Sequence, residues 1–137
     1  MSEQYIVYPS KSIRGVISVP GDKSISHRSL ILMSISKGEG KISGLLGSDD
    51  CLATLEIFKM LGVSIKKNED NSYIIKGKGL NGLKKTSSDL YCGNSGTSMR
   101  LLSGLLCGQK FSSRLTGDES LSIRPMERIS LPLRTVS

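Results

Sequence analysis

The chain has 137 residues, 37% of them hydrophobic and 23% charged, which suits one modest globular domain, or part of a larger one, with its own core. A formal net charge of +7 favours anionic partners. However, 4% aromatic residues, no Trp and no run of four adjacent Lys or Arg exclude the stacking platforms and basic arms of nucleic-acid binders. Three cysteines, Cys51, Cys92 and Cys107, with no CxxC pair and the single His27 exclude a zinc set, so neither a metal nor a cofactor is expected.

From the amino end, Met1 to Ser10 has neither the basic n-region nor the apolar stretch of a signal peptide, and no apolar run approaches the roughly 18 residues of a membrane span. The cysteines read as small core residues of a reduced cytosol, so a cytoplasmic protein with no membrane partner is expected. Two short β-like runs, Tyr5 to Tyr8 and Val16 to Val19, are broken by Pro9 and Gly15 and end at Pro20-Gly21, a candidate hinge. From Ser24 a helix is predicted: Ile25, Leu30, Ile31, Leu32, Met33 and Ile35 form an apolar band up to a stop at Lys37-Gly38. A strand over Lys41 to Leu46 follows. Ser48-Asp49-Asp50 then supplies the cap and acidic first turn of a second helix, striped by Leu52, Leu55, Phe58 and Leu61 and closed by Gly62.

Val63 to Lys67 and Tyr73 to Lys76 read as the arms of a hairpin across the turn residues Asn68-Glu69-Asp70-Asn71. A short strand around Asp89 to Cys92 leads into Gly93-Asn94-Ser95-Gly96-Thr97-Ser98. These residues open a third helix with Met99, Leu102, Leu105 and Leu106 inward and Gly108 as its cap. Phe111 to Thr116 is the next predicted strand, and Pro125 the first residue of a fourth helix. That helix stops at Val136-Ser137 without a cap or a closing strand, which reads as truncation. A displacement of about 72 residues lays Ser24 on Gly96 and Arg28 on Arg100, so a repeated αβ module is expected, one unit complete and a second begun.

Three places share one design, a cation or small residue at a helix mouth with an Arg nearby. Lys23-Ser24 with Arg28 one turn later gathers an ammonium, a hydroxyl and a guanidinium. Asn94-Ser95-Gly96-Thr97 with Arg100 pairs an approachable backbone with a polar rim. Arg124-Pro125 sets an Arg just before a helix start. Any one of these is explained more simply by capping and solvated charge, with Ser24 an N-cap and Gly93 and Gly96 turn glycines. Three in one basic chain shift the balance to anion binding, because the planar fork of Arg suits carboxylate and phosphate. His27 fits a structural or supporting role better than a catalytic one. No local acid and base pair emerges, since Asp49-Asp50 reads as a cap and Asp118-Glu119 as a loop.

GDKSISHR at Gly21 to Arg28, GNSGTSMR at Gly93 to Arg100 and LTGDESLSIRPMERI at Leu115 to Ile129 resemble, in order and spacing, the three signatures of the EPSP synthase family, the 3-phosphoshikimate 1-carboxyvinyltransferases. The resemblance covers essentially the whole chain. It implies an inside-out α/β barrel built from βαβαββ units, of which only the first and part of the second are present. Residues 1–20 would supply strands to the C-terminal domain, and residues 21–137 would form an incomplete N-terminal domain. It further implies transfer of the enolpyruvyl group of phosphoenolpyruvate to the 5-hydroxyl of shikimate 3-phosphate, with release of phosphate. Lys23 would contact both substrates, Ser24 and Arg28 the shikimate moiety, and Asn94, Gly96 and Arg124 the phosphoenolpyruvate pocket, with Arg100 a supporting cation.

The family's proton-transfer residues lie beyond residue 137, so no catalytic residue is expected in this segment and the isolated chain is expected to be inactive. The implied partners are those two small molecules, in a protein expected to be monomeric at full length. Leu101 departs from the Pro that many relatives carry there. A sister family acting on UDP-N-acetylglucosamine carries a loop Cys that Asp118 to Arg124 lacks. A non-enzymatic anion-binding fragment is the reading from a different class.

Overall fold

A computed structural model of the chain describes residues 4–135. The first helix, α1 (Lys23–Ile35), begins one residue earlier than the apolar pattern suggests, because Asp22 rather than Ser24 is its N-cap. The Asp22 Oδ1 accepts the Ile25 backbone N–H at 2.7 Å, satisfying a donor that the first helical turn leaves open. Only part of the predicted apolar band is inward: Leu30 and Ile31 are buried, whereas Ile25 and Leu32 are each more than half exposed.

After α1 the chain turns at once into β1 (Lys37–Ile42), where the sequence suggests a helix stop and a strand only from Lys41. Pairing with a distant strand decides this. β1 lies antiparallel to β3 (Tyr73–Lys78) with Gly38 opposite Gly77 and Ile42 opposite Tyr73. β2 (Ser64–Lys67) flanks β3 on the other side, giving the order β1-β3-β2. Tyr73 and Ile75 face the core while Lys76 and Lys78 point to solvent, the alternation a half-buried sheet requires. The β2–β3 hairpin is the one expected, and Asn71 takes a positive φ of 58° in its turn, as Asn tolerates.

Between β1 and β2 runs α2 (Asp49–Met60), with Asp49 and Asp50 in its first turn. Ser48 sits at the N-cap but makes no capping bond through its side chain. Gly62, at φ +87°, ends the helix in the left-handed conformation that glycine adopts without a Cβ clash.

The second half is a parallel crossover. β4 (Leu90–Tyr91) pairs with β5 (Leu115–Thr116), and α3 (Gly96–Cys107) connects them. The strand expected over Phe111 to Thr116 is therefore confined to its last two residues. Gly108 is the C-cap of α3 at φ −83°, outside the left-handed region. The single helix expected from Pro125 is preceded by a short one. Asp118 caps α4 (Glu119–Ser122) by accepting from Leu121 N at 2.7 Å, so Asp118-Glu119 starts a helix instead of forming a loop. α5 (Glu127–Thr135) follows with Pro132 inside it. The predicted stop at 136–137 lies outside the described residues.

The chain is thus α/β, in the order αβαββ and then βαβαα. That is one βαβαββ unit without its first strand, followed by part of a second. The 72-residue displacement brings the start of α1 to within one residue of the start of α3, but the strands differ: β1 pairs antiparallel and β5 parallel. Tyr5 to Tyr8 and Val16 to Val19 form no strand, and their large apolar side chains are exposed. One apolar cluster joins both halves. Its buried members include Leu30 of α1, Leu55 and Phe58 of α2, Leu61 at the end of that helix, Ile75 of β3, Leu90 of β4, Leu102 of α3 and Leu121 of α4.

Gly21 fixes the entry to α1. A methyl built on its Cα would stand 2.0 Å from the Gly44 carbonyl oxygen and 3.1 Å from Leu46 N, both backbone atoms that cannot swing away. Beside it the Ser26 hydroxyl accepts the Leu46 N–H at 3.0 Å. Gly21→Ala is accordingly expected to destabilise by about 1–3 kcal/mol, the usual cost of overpacking, read as a lower denaturant midpoint at unchanged slope.

Candidate anion-binding site

Of the residues singled out in the sequence, Lys23 meets α2, and Asn94, Gly96, Arg100 and Arg124 gather at the start of α3, while among the described residues no hydrogen bond or ion pair ties Ser24 or Arg28 to them. Lys23, the first residue of α1, bonds Asp50 of α2 through Nζ and Oδ2, with the Asp50 carboxylate largely buried. Asp50 also reaches the loop before α3: a methyl on Gly93 would meet its Oδ1 at 3.3 Å. Asp50 is therefore the bridge between the first and second motifs. Its place in a capping sequence hides this, since Lys23 is 27 residues away and no local pattern pairs them.

The third motif joins at the same mouth. Arg124 Nη2 donates to Asn94 Oδ1 and, at 3.3 Å, to Ser120 Oγ. Asn94 in turn donates through Nδ2 to Asp118 Oδ2 at 2.6 Å, and Asp118 N donates to the Gly93 carbonyl at 3.0 Å. The Asp118 carboxyl is held below the usual carboxylate range, first by the Leu121 N–H and then by the Asn94 amide, with Arg124 adding to the effect. Gly96 is the first residue of α3 and is buried. A methyl there would stand 3.3 Å from Arg100 Nη1 and 3.4 Å from Arg124 Nη1.

Two guanidinium groups thus flank the positive end of a twelve-residue helix whose Ser95 cap already satisfies the Ser98 N–H at 3.1 Å. Arg28 and Arg100 are exposed and take part in none of the ion pairs among the described residues, while Ser24 is half-buried in the first turn of α1. An arrangement of unpaired forks at a helix start is chemically suited to carboxylate or phosphate.

Beneath this mouth lies a polar cluster of which the sequence reading singles out only His27, in a structural or supporting role. His27 is fully buried. Its Nδ1 is 2.9 Å from Thr54 Oγ1 and 3.1 Å from Ser98 Oγ; its Nε2 is 3.3 Å from Ser95 Oγ and 3.9 Å from Cys51 Sγ. Thr54 and Ser98 are 2.7 Å apart, Ser98 Oγ donates to Ser95 Oγ at 3.0 Å, and Thr54 Oγ1 donates to the Asp50 carbonyl at 3.3 Å.

Burial, and then the nearby Lys23 charge, lower the His27 pKa from 6.5, against a smaller opposite pull from Asp50. A buried histidine with a lowered pKa takes up its proton more readily in the unfolded chain. Stability is then fully present above about pH 6.5 and declines as pH falls from there towards the folded-state value, by at most about 1.4 kcal/mol per pH unit. The fall is expected to show in thermal melts between pH 7.5 and 5, above the range of Asp118 and of Asp70, whose carboxyl the Lys41 ammonium and then Ser72 hold well below the usual carboxylate range. His27→Asn should flatten it, and an equal slope in the variant would contradict the assignment.

Among the described residues no cluster of three His, Cys, Asp or Glu side chains could hold a metal ion, and no helix is long and apolar enough to cross a membrane.

Comparison with known proteins agrees with the three motifs. The family model described as EPSP synthase (3-phosphoshikimate 1-carboxyvinyltransferase) matches residues 7–137. The chain belongs to the EPSP synthase family. Its relatives include the 3-phosphoshikimate 1-carboxyvinyltransferases of Geobacter sp. (strain M21), 55% identical over 131 residues, and of Ruthia magnifica subsp. Calyptogena magnifica, 55% identical over 130 residues. These alignments take in 96% and 95% of this chain but 30% of each relative, so the chain spans about 30% of the length of the curated EPSP synthases it matches. An EPSP synthase structure from Acinetobacter baumannii superposes with a TM-score of 0.83 at 55% identity, covering 88% of this chain and 27% of that one. The α/β order described above is therefore that of an EPSP synthase segment, and its motifs lie in the amino-terminal part of the fold.

Proposed function

We propose that this chain is the amino-terminal, substrate-gathering part of an enzyme that transfers the enolpyruvyl group of phosphoenolpyruvate to the 5-hydroxyl of shikimate 3-phosphate and releases phosphate. The observation that carries the reading is the pair of guanidinium tips at Gly96, 3.3 and 3.4 Å from where a methyl would stand, at the positive end of α3. In this reading Asn94, Gly96 and Arg124 border the phosphoenolpyruvate anion, with Arg100 in support. Ser24 and Arg28 on α1 hold the shikimate moiety, and Lys23 stands between the two substrates. Both substrates carry phosphate and carboxylate groups, which a cluster of this charge and geometry would draw together and hold in reacting distance. As the 5-hydroxyl oxygen attacks C2 of phosphoenolpyruvate, the tetrahedral intermediate retains both anionic groups, and fixed cations stabilise it without reorganisation.

Among the described residues no free acid and base pair stands at this mouth to move the protons. Asp50 is engaged by Lys23, and Asp118 by Asn94 and Leu121 N. The proton chemistry is accordingly assigned to a domain outside this segment, and residues 1–20 to strands of that domain. The exposed apolar side chains of Tyr5, Ile6, Val7, Val16 and Ile17 support this, as do Ile25 and Leu32, seven residues apart on one stripe of α1. The cell compartment is read as the cytoplasm from the cysteine usage, and the partners as small molecules.

Phosphate release from the two substrates together is the test. The full-length protein is expected to release phosphate only when both are present, and the 137-residue chain alone to release none above a blank. Release by the chain alone would overturn the assignment of proton transfer to another domain. A full-length protein without turnover would overturn the reading itself.

A further inference from the structure

The polar cluster under the anion mouth is a connected chain of contacts. Lys23 bonds Asp50; the Asp50 carbonyl accepts from Thr54; Thr54 and Ser98 flank His27 Nδ1; and Ser95, the cap of α3, faces His27 Nε2. His27, Thr54, Ser95 and Ser98 are all buried, in a domain whose other buried side chains are mostly apolar. Buried hydroxyls are expensive unless every one is paired, so their presence here needs a reason that packing does not supply.

A neutral imidazole completes the set. With its proton on Nδ1 it donates to Thr54 and Ser98, and Nε2 accepts from the Ser95 hydroxyl. Ser95 Oγ meanwhile takes both the Ser98 hydroxyl and the Ser98 backbone N–H. The Thr54 hydroxyl has two acceptors in reach, Ser98 Oγ at 2.7 Å and the Asp50 carbonyl at 3.3 Å, so each hydrogen has an acceptor and the early turns of α1, α2 and α3 are tied to one ring.

We propose that His27 is a positioning residue of the anion site: its neutral ring sets α1, which carries Lys23, Ser24 and Arg28, against α3, which carries Gly96 and Arg100. The inference rests on the substrate-binding role proposed for those residues. A ring that only filled space would leave the hydroxyls unneeded. A ring that ties helices by directed bonds fixes the spacing between the two groups of cations, and misplacement of about 1 Å there weakens binding of an anion shared between them. The contacts at Nδ1 are the shorter ones, so they carry most of the coupling. Asn places a polar atom near the Nδ1 position, whereas Gln reaches towards Nε2.

The test uses the full-length protein with four variants. His27→Ala is expected to raise the KM for phosphoenolpyruvate about tenfold or more, His27→Gln to do nearly the same, and His27→Asn to recover most of the loss. Ile75→Ala, which opens a cavity under the sheet away from the mouth, is the control for lost stability and is expected to lower Tm while leaving KM unchanged. A KM that follows Tm across all four variants would overturn the proposal, as would His27→Asn behaving like His27→Ala. If the wild-type protein fails to turn over, the reading of its function fails, and the same ranking is then read from midpoint shifts on titration with inorganic phosphate. There, equal shifts in wild type and His27→Ala would overturn the positioning role on its own.

Discussion

Arg124→Ala is expected to lower kcat/KM of the full-length enzyme by about 10²- to 10³-fold, the usual loss when one preorganised donor to a developing anion is removed. The size follows from how the guanidinium is held. Asn94 and Ser120 accept from Nη2, while Nη1 stands free beside Gly96 at the positive end of α3. The side chain is therefore oriented before any ligand arrives, and little entropy is lost on binding. Arg124→Lys is expected to recover less than a tenth of the lost activity, because an ammonium cannot bond Asn94 and face Gly96 at once. Steady-state rates with phosphoenolpyruvate varied at saturating shikimate 3-phosphate would decide it. A loss confined to less than fivefold, or full recovery by Lys, would remove Arg124 from the site.

The contrast between Arg124 and Asp50 shows what can be read from the sequence here. Arg124, Asn94 and Gly96 lie within recognisable motifs, each with its own local logic of glycine, cap and cation, and it is the family resemblance that implies their meeting at one pocket. Asp50 has equally good local logic as a first-turn acid, and that explanation conceals its bond to Lys23. A long-range pair leaves no periodicity to detect. The same holds for β1: Lys37-Gly38-Glu39-Gly40 has the composition of a turn and becomes a strand only because β3 offers it a partner.

His27 illustrates the intermediate case. A lone histidine in an apolar helix reads as structural or supporting, and the fold buries it completely. However, its hydroxyl partners Thr54, Ser95 and Ser98 come from two other helices and emerge only when those are packed. Helices α1, α2 and α3 were legible in extent to within a residue or two from their hydrophobic period, whereas their caps were not: Asp22 and not Ser24 caps α1, and Ser48 makes no capping bond. The segments Tyr5 to Tyr8 and Val16 to Val19 have β composition but form no strand, because composition alone does not form a ladder.

The largest stability effect is expected at Phe58. It is fully buried on α2, one turn beyond Thr54 on the same face, and packs in the cluster that joins Leu30 of α1, Ile75 of β3 and Leu102 of α3. Phe58→Ala should cost about 3–5 kcal/mol, combining lost transfer energy with a cavity that three rigid elements cannot close. The expected readout is a lower denaturant midpoint at unchanged slope, with Phe58→Leu losing less because it retains part of the volume. α2 presents Asp50 and Thr54 to the anion mouth from its first two turns and anchors itself by Phe58 in its third. The same substitution is therefore expected to raise KM for phosphoenolpyruvate only at temperatures approaching the lowered midpoint, where α2 begins to detach. A KM already raised well below that midpoint would mean that the cavity is filled by a shift of α2, and that the mouth is set by the core more directly than by the hydrogen bonds around His27.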